Sequence, residues 1–189
     1  VPETMKPVIE EGFRSDTKGA QTIQEILNAA NIKNGKVTYK KEPFDLKELI
    51  QGIITDLAPV AEKKNLVFTG NLSDVTFTGD KIQLVNAFKN LIDNSIKYTP
   101  TGSVTVSLVK NENTVHFEIT DTGVGISKDD MKNLFTEGGH GKNSQKINVE
   151  STGFGLFIVK NIVEANGGKV WAESEGEGKG AHFIVELPI

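Results

Sequence analysis

Three stretches constrain how this chain can fold. Asn90-Leu91-Ile92-Asp93-Asn94 places amides inside a helical pattern. Asp121-Thr122-Gly123-Val124-Gly125-Ile126 follows a strand pattern and carries one carboxylate and two glycines. Thr152-Gly153-Phe154-Gly155-Leu156 opens another helix with a glycine pair. In this order and at these separations they describe a pocket for a nucleotide with its metal, provided the fold brings them together.

The segment 81–98 has Val85, Phe88, Leu91, Ile92 and Ile96 at helical spacing, which supplies a buried side. Asn86, Asn90 and Asn94 recur four apart and stack on one face. Asn is a mediocre helix former because its amide competes for backbone groups, so three on one face ask for a reason. They read either as a solvated polar face or as oxygens turned toward a hard cation and phosphate. Mg²⁺ takes few protein ligands and leaves the rest to water and phosphate, so one neutral amide can suffice in the second reading. Lys97 then reaches a phosphate, and Tyr98 lies against a base.

Asp121 is an acceptor-only group, suited to an exocyclic amine such as that of adenine. Gly123 and Gly125 let the backbone approach a flat ring, and Ile126 closes the loop. A strand-ending turn with a capping Asp is the alternative. The glycines Gly153 and Gly155, with Thr152, Phe154 and Leu156, open a helix whose first N–H groups lack intrahelical partners and whose dipole favours an anion, which suits a polyphosphate. A flexible loop exit is the other reading. Phe154, Phe157, Ile158, Ile162 and Val163 read as core. Residues 136–152 hold glycines and polar residues with almost nothing apolar, the signature of a lid or a disordered loop. Gly141 and Lys142 lie there as candidates for the phosphates on closure, or as ordinary solvated loop residues.

Two commoner phosphate motifs fail. A P-loop requires Ser or Thr where Asn143 stands and Gly where Thr136 stands. A Rossmann fingerprint requires a third Gly where Ile158 stands. With no cysteine, disulfides and thiolate metal sites are excluded, and three well-separated histidines argue against a zinc cluster. The net charge of -4 argues against nucleic acid as a partner. No apolar run spans a bilayer. The chain begins at Val1, which reads as a fragment, so membrane attachment is expected only through an upstream segment.

Residues 1–34 read as a helix with Ile23, Ile26, Leu27 and Ala30 as its apolar stripe, interrupted by Gly12 and Gly19 and ended at Asn34-Gly35. A strand is expected over Val37–Phe44. Helices follow from Asp45 to about Lys64 and over 81–98, started by the capping pairs Asp45/Glu48 and Asp80/Gln83. Short strands near 66–69 and 75–78 separate them. Thr99-Pro100-Thr101-Gly102 is a turn. A hairpin spans 103–110 and 114–120, with Asn111 to Asn113 as its tip. Ser127 and Asp130 cap a short helix to about Phe135. A helix over Gly153–Ala165 ends at Asn166-Gly167-Gly168, and strands 169–174 and 181–187 close the chain. The pattern predicts an α/β fold: a two-layer sandwich with a mixed, mainly antiparallel sheet and helices on one face, plus the N-terminal helix as a remnant of another unit.

These residues resemble the catalytic ATP-binding domain of sensor histidine kinases, a Bergerat-fold family related to gyrase and MutL. Residues 36–189 carry the resemblance, and 1–35 are similar to the second helix and linker of a dimerisation and phosphoacceptor domain. Asn90 to Tyr98 resembles the N box, Asp121 to Ile126 the first glycine box, Thr152 to Leu156 the second, and Phe135 the start of the phenylalanine box. The resemblance implies a kinase whose cofactors are ATP and Mg²⁺. Asn94 holds the metal with Asn90 in support, and Lys97 touches phosphate; these are the implied catalytic residues. Tyr98 flanks the nucleotide, Asp121 binds adenine, and Gly153 to Leu156 cradle the phosphates. The γ-phosphoryl passes to a histidine on a dimerisation domain, of the same or a partner chain, and then to a response regulator receiver domain. The implied location is the cytoplasm, or the cytoplasmic part of a membrane-bound sensor.

Three departures stand out. Gly138 and His140 replace the second Phe and the Arg of the phenylalanine box. Ser151 replaces the first glycine of the second glycine box. His116-Phe117, His140-Gly141 and His182-Phe183 all lack the acidic residue that follows a phosphoacceptor, so that residue is expected outside this chain. The alternatives are a nucleotide-binding interaction module without phosphotransfer, or a Bergerat-fold ATPase, whose relatives carry Glu at the position of Asn90.

Overall fold

The computed structural model describes residues 6–139 and 153–189. The chain divides into two compact units between Val37 and Thr38. In the first unit, α1 (Lys6–Lys33) runs through both of its glycines as one helix of 28 residues. Its stripe is not core: Ile23, Ile26 and Leu27 are exposed, as is Ala30, while Ala29 is buried. Gly35, at φ 63, turns the chain out of the helix, with Gly35 N–H donating to Ile32 and Lys36 N–H to Asn31.

The second unit contains the rest of the secondary structure. Its elements are β1 (Glu42–Asp45), α2 (Leu46–Lys63), β2 (Val67–Leu72), β3 (Thr76–Gly79), α3 (Lys81–Tyr98), β4 (Ser103–Lys110), β5 (Thr114–Asp121), α4 (Lys128–Met131), α5 (Gly155–Ala165), β6 (Lys169–Glu173) and β7 (Ala181–Pro188). The helix starts follow their caps. Asp45 accepts from Glu48 N–H at 2.9 Å, Asp80 from Gln83 N–H at 3.0 Å, and Ser127 from Asp130 N–H at 3.1 Å.

Five strands form one mixed sheet in the order β2-β4-β5-β7-β6, parallel only between β2 and β4. Along β4 and β5 one face is buried and the other partly exposed, strand residue by strand residue. Val104, Val106, Leu108, Val115, Phe117 and Ile119 form the buried face. α3 packs on it between α2 and α5, with Phe88 stacked on Phe117 at 4.3 Å between ring centres. The opposite face carries His116, Glu118, His182 and Glu186 in a chain of close pairs.

Three expected boundaries move. The strand over Val37–Phe44 shrinks to Glu42–Asp45 because its partner β3 is four residues long. Lys40 N–H instead donates to Asp80 Oδ2. This β1–β3 pair forms a second, two-stranded sheet. The helix expected to reach Phe135 ends at Met131 and continues as turns. The last long helix starts at Gly155 rather than Gly153, because Gly153 has φ 72, outside the right-handed helical region.

Candidate nucleotide site

The middle helix sets the site. α3 buries Leu84, Ala87, Phe88, Leu91, Ile92, Ser95 and Ile96, and Val85 is only partly covered. Asn90 and Asn94 lie one turn apart at its edge, half-buried, with Asn94 Nδ2 donating to Asn90 Oδ1 at 3.1 Å. Asn86 is exposed. The bond uses Asn90's oxygen and Asn94's nitrogen, so Asn94 Oδ1 keeps its acceptor capacity. Lys97 forms an ion pair with Asp93 at 2.6 Å, one turn back on the same helix.

The glycine of α5's first turn lies directly on this amide pair. A Cβ at Gly155 would sit 2.7 Å from Asn90 Nδ2 and 2.9 Å from its Oδ1. The first residues of α5 therefore pack directly against the Asn90 amide, which a Cβ at Gly155 would displace. Phe154 precedes the helix without giving it a side-chain cap, so the opening N–H groups are left to other acceptors. Phe154 and Phe157 are half-exposed rather than core, as is Leu156; the buried residues of α5 are Ile158, Val159, Ile162 and Val163. Periodicity finds a face of this helix, but α3 and β6 bury that face only from Ile158 onward.

The loop after β5 meets the other end of α3. Val124 N–H donates to the Tyr98 carbonyl at 3.1 Å. A Cβ on Gly123 would fall 2.4 Å from that same oxygen and 2.8 Å from Thr99 Oγ1. Tyr98 itself is half-buried. Asp121 is 5% exposed, and its Oδ1 accepts from Gly123 N–H at 3.0 Å and Ala181 N–H at 3.1 Å. Burial pushes its carboxyl above the usual carboxylate range, opposed by those two amides and by the neighbouring buried Ser95 hydroxyl.

Asn90, Asn94, Gly155 and the Asp121–Ile126 loop are thus all carried or touched by α3. Gly141, Lys142 and Thr152, like His140, lie outside the described residues. Three contributors escape a reading of the sequence alone. Ser95 and Thr99 look like ordinary helix-end polar residues. The third is the turn between β6 and β7, Ser174 to Gly180, which lies along the Asp121 loop: Gly178 N–H donates to Val124 O and Gly180 N–H to Gly123 O, at 2.6 and 3.1 Å. Its glycine density, Gly176, Gly178 and Gly180, is the only signal in the sequence.

Among the described residues no three His, Asp or Glu side chains form a metal cluster, and no helix is long and apolar enough to cross a membrane. Comparison with known proteins agrees on what this arrangement is. The sensor protein GacS of Pseudomonas syringae pv. syringae is 31% identical over 175 residues, 88% of this chain and 19% of GacS. The chain therefore spans about a fifth of such curated relatives, 19% in this case. Full-length ShkA, solved in complex with AMPPNP, superposes with a TM-score of 0.82 at 23% identity, over 97% of this chain and 38% of that one. Histidine kinase ThkA, solved with the response regulator protein TrrA, gives a TM-score of 0.75 at 22% identity, over 100% of this chain and 52% of that one. At those identities the two structures speak to the fold. The family model for histidine kinase-, DNA gyrase B- and HSP90-like ATPases matches residues 79–189, which take in α3, the Asp121 loop, α5 and both closing strands, and the chain belongs to that family.

Proposed function

We propose that this chain is the ATP-binding catalytic part of a two-component sensor histidine kinase. The observation that carries the reading is the meeting of Asn90 with Gly155 at one end of the site and of Tyr98 with Gly123 at the other. A triphosphate laid from Asp121 toward the start of α5 would run past Asn94 and Asn90. Asp121 would accept from the exocyclic amine of adenine through its remaining oxygen. Gly123, Gly125, Ile126 and Tyr98 would bound the base. The N–H groups of Gly155 and Leu156, with Gly153 and Phe154 before them, would face the phosphates. Gly141, Lys142 and Thr152 are assigned to the same end by their place in the sequence.

Mg²⁺ fits this donor set. Asn94 offers a neutral oxygen, oriented by the bond its amide nitrogen makes to Asn90, and a hard cation accepts such a ligand with phosphate and water. The ion would offset the charge on the phosphates. Lys97, already paired with Asp93, would turn toward them only by leaving that partner.

Asn90 also decides the reaction class. An amide cannot take a proton from water, so hydrolysis lacks its base. Phosphoryl transfer needs positioning and charge stabilisation instead. The γ-phosphoryl would leave its β-phosphate oxygen and bond to an imidazole nitrogen, whose proton is released. That imidazole belongs to a phosphoacceptor domain, and a response regulator receiver domain takes the group next. The similarity to GacS supports this role. By the same reading the chain works in the cytoplasm.

The test is twofold. Mg-ATP should raise the thermal midpoint of the chain, and Asn94→Ala and Asp121→Ala should abolish that rise. With the phosphoacceptor domain supplied, acid-labile phosphohistidine should form. Tight ATP binding without transfer to the full-length kinase would favour an interaction module. A robust ATPase rate removed by Asn90→Ala would favour a hydrolase.

A further inference from the structure

The Asp121 loop is held in place from outside. Asp121 ends β5 and is fixed by pairing with Ala181 on β7. Residues 122–126 have no strand pairing of their own. Thr122 N–H donates to Ser103 on β4, Gly123 N–H to Asp121 Oδ1 and Val124 N–H to Tyr98 on α3, while Gly123 O, Val124 O and Ile126 N–H all bond to the turn at 174–180. At the centre of that turn is one hydroxyl. Ser174 Oγ accepts from Ile126 N–H at 3.0 Å and from Gly176 N–H at 3.2 Å, and lies 2.6 Å from the Gly180 carbonyl, to which it donates. A hydroxyl has one proton and two lone pairs, so all of its capacity is used. The fit allows no slack on either side. A Cβ on Gly125, at φ 69, would fall 2.0 Å from the Gly176 carbonyl, and one on Gly180, at φ 71, would fall 2.0 Å from the Asp121 carbonyl.

We propose that Ser174 is a positioning residue for the nucleotide base: its hydroxyl locks the Ile126 amide, and through it the 122–126 backbone, into the shape that accepts adenine. This deepens the nucleotide reading above and rests on it. Ser174 acts through the loop and has no role in the chemistry. Without the hydroxyl, the Ile126 and Gly176 amides and the Gly180 carbonyl lose one shared partner, and the turn and loop separate locally. Asp121 keeps its strand pairing, so the fold survives while the surface facing the base loosens.

The experiment measures Mg-ATP and Mg-GTP affinity by titration calorimetry on the full chain, for the parent and for Ser174→Ala, Ser174→Thr and Ser174→Val. Threonine and valine have nearly the same shape and differ in the hydroxyl. In Ser174→Ala and Ser174→Val, ATP affinity should fall about tenfold, the effect of one lost buried polar partner, with little change for GTP, so base selectivity narrows. Ser174→Thr should stay within a factor of about three of the parent. If Ser174→Ala does not fold, the threonine–valine pair decides the matter. A parent that binds no ATP overturns the nucleotide reading and this proposal with it. A parent that binds ATP, with Ala or Val variants equal to it, overturns this proposal alone. Equal losses in Thr and Val, or equal losses for ATP and GTP, also overturn it, because they mark packing or general unfolding rather than a hydroxyl that shapes the base site.

Discussion

At Asp121 stability and binding pull in opposite directions. The carboxylate is buried, and burial is the largest influence on its pKa, raising it despite two backbone amides and Ser95. A raised folded-state pKa means that folding favours the protonated group. Asp121's contribution to stability is therefore fullest below the unfolded value of about 4 and is lost as pH rises through the higher folded value. At neutral pH the ionised carboxylate is a cost that the apo protein carries. Asp121→Asn removes the charge and keeps an oxygen with two lone pairs for Gly123 and Ala181. Apo Asp121→Asn should melt at or above the parent's midpoint at pH 7, and the advantage should shrink as pH falls through the carboxylate range. Mg-ATP should shift that midpoint much less, because the substitution places an amide against the adenine amine and forfeits a charge-assisted bond, roughly 10- to 100-fold in affinity. Differential scanning fluorimetry over a pH series, with and without Mg-ATP, checks both. An apo Asp121→Asn that is clearly less stable at pH 7 would count against the linkage.

At the scale of elements, α3 separates two kinds of glycine contact. Gly155 faces the flexible end of Asn90, whereas Gly123 faces the Tyr98 carbonyl, part of the backbone. In Gly155→Ala the Asn90 amide can swing aside, and a helix position gains an alanine. Its apo midpoint should stay within about 3 °C of the parent. Displacing Asn90 breaks its bond with Asn94, so Mg-ATP affinity should fall about tenfold or more. In Gly123→Ala nothing soft can yield, and overpacking should cost about 1–3 kcal/mol of stability, seen as a lower urea midpoint. A Gly155→Ala variant that loses stability but keeps its ATP affinity would show that the amide pair is not part of the site. Elements set by local chemistry could be read in advance from sequence: the caps at Asp45, Asp80 and Ser127 start their helices as the residues three positions on suggested. What escaped is non-local. β1 is short because β3 is short, and the turn at Ser174 matters because of a loop 48 residues earlier in the chain. The half-exposed Phe154 and Phe157 show the same limit, since spacing gives a face but not the neighbour that covers it.

For the molecule as a whole, the question is how much of the chain the site needs. Every described site residue, from Asn90 to Gly180, lies in the unit that begins at Thr38. The segment just after that boundary is anchored within the same unit: Lys40 N–H donates to Asp80 Oδ2, while Asp80 N–H donates to Asn166 Oδ1, at 2.9 and 3.0 Å. Asp80 caps the start of α3, and Asn166 closes α5 by donating to the Ile162 carbonyl at 2.8 Å. One small polar network thus joins the far ends of the two helices whose other ends form the nucleotide site. A fragment from Thr38 to Ile189 keeps this network and should bind Mg-ATP within a factor of about two of the full chain. A fragment that starts at Glu42 gives up the Lys40 bond to a buried carboxylate and should lose about 1–2 kcal/mol of stability, with a smaller loss in affinity. Calorimetric titration and urea denaturation of both fragments distinguish the cases. If the Thr38 fragment folds yet binds Mg-ATP ten or more times more weakly, α1 must contribute to the nucleotide site, and the view of the second unit as self-sufficient for binding fails.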